Sequence, residues 1–411
     1  MTPSDSLFRV LVAGGGVAGL EALLALRDLA GDRVSLTLLS PEDEFMYRPM
    51  AVAEPFARGH ATRHSLNELA GRLGARFVPG ALAKVDDTAR EGVTGAGDRI
   101  GFDALLVAVG AQSAVSLRAA MTWTPERDPE VFGGLLRDLE EGYTKRVAFV
   151  VPPGNTWPLP AYELALMTAW QAWDMSQDDI QITIYTPEDA PLAMFGAAAS
   201  AGLREDLAEA RIEVVTGTFV TEADGHLELH PGGRRLDAQR VVTLPIAAGP
   251  AIPGLPADRL GFVLTDRHGK VPGTHAVWAA GDAIAFPIKQ GGLAAQQADA
   301  AARAIAAAAG ADVETEPFRP VLRGVILTGR GKQWLRQPAP GSEGEGEAAR
   351  HALFWPPTKV AGRYLAPFLL ALDASQQGAD AAPTGQPVEL DLEQNALAAS
   401  DALNQADRRG S

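Results

Sequence analysis

The sequence predicts an α/β protein of two Rossmann-like blocks, the second inserted in the first, followed by a C-terminal α/β segment. Three observations carry that reading. An apolar strand, Arg9 to Ala13, runs into a glycine-rich turn at Gly14 to Gly19 and then into an Ala/Leu-rich helix. A second strand–turn–helix–strand unit begins at Val147. A strand after His275 ends in Gly281-Asp282, as though the first block resumed after an interruption. The expected division is 1–120 with 256–315 for the first block and 121–255 for the second. Residues 316–372 then form the C-terminal segment and 373–411 a disordered tail.

The opening turn has the spacing G-x-G-x-x-G at Gly14, Gly16 and Gly19, between a strand and a helix. The first glycine permits a tight turn, the second lets backbone approach a pyrophosphate, and the third lets the helix pack close on the strand. A helix start also offers free N–H groups and a positive dipole end to phosphate. Gly14, Gly16, Val17, Ala18 and Gly19 are therefore candidate contacts to a dinucleotide. The competing reading is a glycine-rich turn with no ligand. The unit's second strand is Val34 to Ser40. A ribose-binding acid usually ends that strand, roughly 20 residues after the glycines. Ser40 holds the place here and could give one hydrogen bond. Glu42 behind it either reaches the ribose or is a solvated acid in a turn.

Phe45 to Met50 is aromatic, basic and proline-bearing, so Arg48 is either a ligand border or part of a packed loop. Ala75 to Pro79 and Ala81 to Asp86 read as short strands before a hairpin. Phe102 to Gly110 reads as a buried strand, with Gly110, near Ala108, allowing the backbone to pass close to a ligand. The second block offers strands Val147 to Val151 and Ile180 to Tyr185, with a helix from Tyr162 to Trp173 between them. Its turn is Pro152-Pro153-Gly154-Asn155-Thr156-Trp157-Pro158-Leu159-Pro160. Prolines remove N–H donors, and Trp157 adds bulk where a pyrophosphate needs room. This predicts a dinucleotide fold that has lost its dinucleotide.

In the third stretch Asp282 follows Gly281 and suits a hydroxyl-rich ligand, unless it is a helix N-cap. Gly291, Gly292 and Leu293 open an Ala-rich helix to about Ala309, a second anion-friendly helix start beside Lys289. Beyond it, Glu343 to Glu347 reads as a loop. Tyr364, Leu365, Phe368, Leu369 and Leu372 recur at helical spacing and predict a helix from Val360, kinked at Pro367. The Ala-, Gln- and Asp-rich tail from Ala374 reads as disordered.

Composition excludes several function classes. The net charge of −15 argues against nucleic acid and against simple attraction to anionic lipid. No run of about 18 apolar residues predicts a transmembrane helix. The opening MTPSDSLFRV lacks a basic region followed by an apolar run, so a cytoplasmic protein is expected. Cysteine is absent. That excludes disulfides, thiol nucleophiles and clusters or zinc held by Cys. The 7 histidines show no metal-binding spacing, so no metal is expected.

With Gly14, Gly16 and Gly19, then Asp103 to Ala111, then Gly281-Asp282 in that order, the chain resembles the two-dinucleotide-binding-domain flavoproteins over about residues 8–310. The resemblance implies FAD bound across the first and third stretches. Two relatives share further residues. Type II NADH dehydrogenases share Glu163 and the paired Gln296-Gln297, but they keep an NADH glycine motif that this chain lacks. Sulfide:quinone oxidoreductases and flavocytochrome c sulfide dehydrogenases look similar at Pro152-Pro153, at Pro158 to Glu163, and at Pro287 and Lys289. Trp157 falls near the place of a catalytic cysteine in that family. Without cysteine, persulfide chemistry on the protein cannot occur.

The resemblance implies an FAD-dependent oxidoreductase with a small-molecule electron donor and acceptor, a quinone being one acceptor. It gives Lys289 the flavin pyrimidine edge, where it would stabilise developing negative charge. Glu163 becomes a proton relay on the other side, against a plain reading as an acid satisfying its helix start. Trp157 becomes a shield on the flavin, against a packed loop aromatic. Weak contact of the Val360 helix with a membrane surface, and a homodimer, are compatible with this reading. Two rivals remain: an NAD(P)H-dependent reductase that tolerates the altered turn, and a non-catalytic flavin-binding sensor or scaffold.

Overall fold

Five parallel strands form the first sheet in the order Val277–Ala279, Ala104–Val107, Phe8–Ala13, Val34–Ser40, Ala75–Pro79. They belong to a computed structural model that describes residues 7–125, 129–338 and 345–380. The central strands are Val- and Leu-rich because helices cover both faces of a parallel sheet. Ala104–Val107 is buried at every residue. The Phe8–Ala13 strand is tied to its neighbour by Arg9, whose Nε donates to the Asp103 carboxylate at 3.1 Å and whose Nη2 donates at 3.0 Å. The Val17–Ala30 helix follows the glycine turn and packs along the Gly291–Ala308 helix. A hairpin sheet of Leu82–Asp86, Glu91–Thr94 and Arg99–Gly101 leans on the block through the Val85 N–H, which donates to the Pro253 carbonyl.

The chain leaves this block along Gln112–Ala114 and returns along Ile246–Ala248, and these two segments pair antiparallel. Between them lies the second parallel sheet: Met121–Thr122, Arg240–Thr243, Arg146–Val150, Gln181–Tyr185, Ile212–Val215. Its covering helix is Leu159–Asp174 and starts before the expected Tyr162. Pro160 stands in the first turn, where a missing N–H costs no intrahelical bond. Phe149, Tyr162 and Phe195 anchor a core that also takes in Phe56, Phe132, Leu322 and Leu335.

The C-terminal segment departs most from expectation. It contains an antiparallel sheet of Leu322–Leu327, Lys332–Gln337 and Glu347–Ala349, strands that the expected α/β segment did not place. Of the loop read at 343–347, residues 343 and 344 lie outside the described residues, and Glu347 is in a strand. The last helix is Leu365–Asp380, not from Val360. Pro367 therefore sits in its first turn, where proline causes no kink. That helix also carries 373–380, the start of the stretch expected as a tail, while 381–411 lies outside the described residues. Residues up to Pro367 make one compact unit and those from Phe368 a second, of which the remainder of this helix is described. No helix among the described residues is long and apolar enough to cross a membrane.

Candidate flavin site

The opening glycines sit where the connections diverge on either side of the Phe8–Ala13 strand, the switch point at which α/β sheets hold ligands. Gly14 has φ +117°, and its N–H donates to the Leu39 carbonyl at 2.7 Å. A Cβ there would lie 2.2 Å from the Ala108 carbonyl oxygen, so the turn and the neighbouring strand touch through backbone alone. A Cβ on Gly19 would lie 1.9 Å from the Gly14 carbonyl oxygen, which confirms close packing of helix on strand. Gly16 differs from both. It is the helix N-cap, no side chain caps it, and a Cβ there would meet nothing within 4 Å. Open space at an uncapped helix start, with Val17 and Ala18 in its first turn, fits a pyrophosphate.

Residues distant in sequence complete this edge. Gly281 has φ +78°, and a Cβ there would lie 3.0 Å from the Ala18 Cβ. Its N–H donates to Gln297 Oε1 at 2.9 Å. Asp282 follows in a one-turn helix, Gly281–Ala283, and is not the N-cap of the Gly291–Ala308 helix. Gln290 takes that role through Oε1, which accepts the Leu293 N–H at 2.8 Å. Burial pushes the Asp282 carboxyl up, while Lys289, Arg48 and the Gln290 N–H oppose the shift. Burial also pushes Lys289 down to about 8, against Asp282 and Asp258. The Lys289 ammonium lies 3.6 Å from the Phe262 ring centre and donates to the Ile284 carbonyl. Arg48, Asp282 and Lys289 thus form one electrostatic group drawn from two ends of the chain.

The remaining candidates divide. Gly110, with φ +75°, has open space where a Cβ would be. Ser40 is buried, and its Oγ accepts the Glu42 N–H at 3.2 Å, while Glu42 is exposed. Gly292 lies against the Gln290 amide, and Leu293 is buried in the core. Trp157 stacks edge-on with Phe195 at 5.9 Å in the second block. Glu163 is buried, and its carboxylate accepts from Lys359 Nζ at 2.6 and 2.7 Å and from the Leu327 N–H at 2.8 Å. Burial pushes Glu163 up and Lys359 down, each restrained by the other. The acid is satisfied by the C-terminal segment, not by its own helix start. Lys359 escaped the sequence reading, since no local pattern marks a partner 196 residues away. Gln296 also serves backbone: its amide donates to the Val321 carbonyl and accepts the Val321 N–H, each at 2.9 Å.

The chain's fold is shared with solved flavoenzyme-like structures. The sulfide:quinone oxidoreductase of Aquifex aeolicus is 20% identical, with 90% of each chain covered and a TM-score of 0.75. The ferredoxin reductase for the CYP199A2 system of Rhodopseudomonas palustris is 17% identical over 82% of this chain and 84% of that one, with a TM-score of 0.61. NDH2 of Plasmodium falciparum, solved in complex with NADH, is 16% identical over 69% of this chain and 66% of that one, with a TM-score of 0.53. The family described as pyridine nucleotide-disulphide oxidoreductase matches residues 8–308, which include both stretches that meet at the glycine turn. The chain therefore belongs to the pyridine nucleotide-disulphide oxidoreductase family, as an FAD-dependent oxidoreductase without cysteine.

Proposed function

We propose that this chain oxidises a small-molecule donor through FAD and passes the electrons to a small acceptor, a quinone being the first to test, with no thiol intermediate. The observation that carries the reading is the joining of the Gly16 helix start to the Arg48–Asp282–Lys289 group in a chain of 0 cysteines. When bound, FAD supplies the redox chemistry. The protein's part is to bind, orient and move protons. The helix start at Gly16 holds the pyrophosphate by N–H groups and dipole. Asp282 is placed to meet hydroxyl groups, with Arg48 and Lys289 opposing the rise that burial imposes on its carboxyl. Lys289, held near 8, can keep or release a proton at Nζ close to neutral pH. Glu163 with Lys359 is a second proton-holding pair, shut from solvent.

The test is to purify the full chain, record flavin per protein, and screen donors anaerobically for loss of the flavin's visible absorbance. A soluble quinone is then added to look for turnover. Stoichiometric flavin and steady donor-to-quinone turnover are expected. A protein that cannot take up FAD would end the proposal. A flavin that no small-molecule donor reduces would move the chain to a sensing or scaffolding role.

A further inference from the structure

The C-terminal sheet holds a cation pair that the flavin chemistry does not use. Arg323 and Arg336 stand directly opposite each other on the antiparallel strands Leu322–Leu327 and Lys332–Gln337. Opposed side chains in that register have Cβ atoms about 4.5–5.5 Å apart, and like charges there are destabilising. Strand alternation fixes their face. Gly324 lies against Phe195 and Leu159, so Leu322, Gly324 and Ile326 face the core. Arg323 and Val325 then share the opposite face with Arg336 and Trp334.

Three donors on this face lack partners among the described residues. The Nε atoms of Arg323 and Arg336 and the indole Nε1 of Trp334 are all buried without a hydrogen bond. Glu347, opposite Arg336 on the third strand, forms an ion pair with its Nη1 at 3.8 Å, beyond hydrogen-bond distance, and leaves the Nε donor unmet. Burial and Arg336 together push Arg323 down, with no anion opposing them. The strand carrying Arg323 is held in place, because its carbonyl accepts from Gln290 Nε2 at 3.1 Å. The surrounding charge points the same way. Residues 316–372 carry eight basic residues against four acids, in a chain whose net charge is −15.

We infer that Arg323, Arg336 and Trp334 form a binding site for a small oxyanion, a carboxylate or a phosphate group, on the C-terminal sheet. Two facing guanidinium forks match the paired oxygens of such an anion. The anion would oppose the Arg323 charge that Glu347 leaves uncompensated and satisfy the buried N–H groups, and Trp334 adds a third donor and a flat apolar wall. The inference does not depend on how the flavin reacts.

The test uses the full-length protein with its flavin and follows its melting temperature. Inorganic phosphate and acetate are compared with sodium chloride at equal ionic strength. Phosphate or acetate should raise Tm more than chloride, and titration calorimetry should show saturable binding. Arg323→Gln and Arg336→Gln should each weaken that binding roughly tenfold or more. Arg323→Lys, which keeps charge but loses the fork, should fall between. Flavin content should be unchanged in all three. Arg323→Gln should also raise Tm when no anion is added, because it removes the repulsion. Co-sedimentation with phosphatidylglycerol and phosphatidylcholine vesicles separates the sources. Arginine-dependent binding to the former alone assigns a lipid head group, and its absence with intact phosphate binding assigns a free anion. Equal stabilisation by phosphate, acetate and chloride, or anion binding that survives both glutamine substitutions, would overturn the inference.

Discussion

At the scale of single residues, two glycines in one turn answer to different forces. Gly14 is fixed by the fold, because a Cβ would strike the Ala108 carbonyl and its φ of +117° is strained for any L side chain. Gly16 is left open by the protein, and on the function proposed above what forbids a side chain there is the pyrophosphate. Gly14→Ala should therefore destabilise the whole protein. Gly16→Ala should leave the unfolding free energy of flavin-free protein within about 1 kcal/mol of wild type yet weaken FAD binding roughly tenfold or more. Thermal melts of flavin-free protein beside FAD titrations check both. Equal loss of stability in the two variants would mean that Gly16 is structural. The Glu163–Lys359 pair gives a second residue-level expectation. Lys359→Met leaves a buried carboxylate uncompensated, which typically costs about 3–5 kcal/mol. Glu163→Gln combined with Lys359→Met should cost clearly less than the sum of the single changes, as measured by denaturant unfolding.

At the scale of elements, the helices Val17–Ala30 and Gly291–Ala308 bring two acids together where apolar packing would be expected. Glu21 is fully buried and accepts the N–H groups of Tyr364 and Leu365 at 2.8 and 2.7 Å, so it caps the start of the last helix from outside. Asp299 is pushed up to about 8 by burial and by Glu21, against Arg363 and Arg303. Its Oδ1 has no hydrogen-bond partner among the described residues. A carboxyl raised in the folded state is stabilising while protonated. Its contribution is full below the unfolded value of about 3.9 and is lost as pH rises through about 8. Asp299→Asn should therefore melt higher than wild type at pH above this range, by roughly 2–4 °C, and nearly equal to it in acid. A constant gap between the two Tm–pH curves would refute the assignment. Elements were legible where the pattern was local. Val34–Ser40 matches its sequence expectation, and the glycine turn marks the start of the first helix. The strands of the C-terminal α/β segment were not placed by the sequence, because they stand on pairing with one another and on packing against Phe195, neither of which leaves a local period. The start of the last helix was misjudged for a related reason. The apolar spacing is real, but the cap that sets the first turn is Glu21, more than 340 residues away.

At the scale of the whole molecule, the parts of the candidate flavin edge that the structure brings together, the glycine turn and the Gly281-Asp282 turn, stand out in the sequence because they are backbone features that few folds need in that order. Lys289 and Asp282 were legible as residues, but their coupling to Arg48 was not, since it exists only once the distant stretches meet. The second block repeats the first sheet's parallel order with its turn closed. Pro158 caps the Leu159–Asp174 helix, and Pro160 lies in its first turn. Trp157 packs on Phe195, the Thr156 hydroxyl donates to the Pro245 carbonyl at 3.2 Å, and the Asn155 carbonyl accepts the Ala247 N–H at 2.9 Å. A turn tied to its neighbours in this way, and short of N–H donors, gives a second pyrophosphate little to bind. Neither NADH nor NADPH should reduce the flavin at a useful rate under anaerobic conditions, and neither should bind saturably by calorimetry. Trp157→Gly should not restore binding, because it clears bulk without returning the N–H groups that the prolines lack. Rapid bleaching by either nucleotide would show that the second block still works as a dinucleotide site, and would make the chain a nucleotide-dependent reductase.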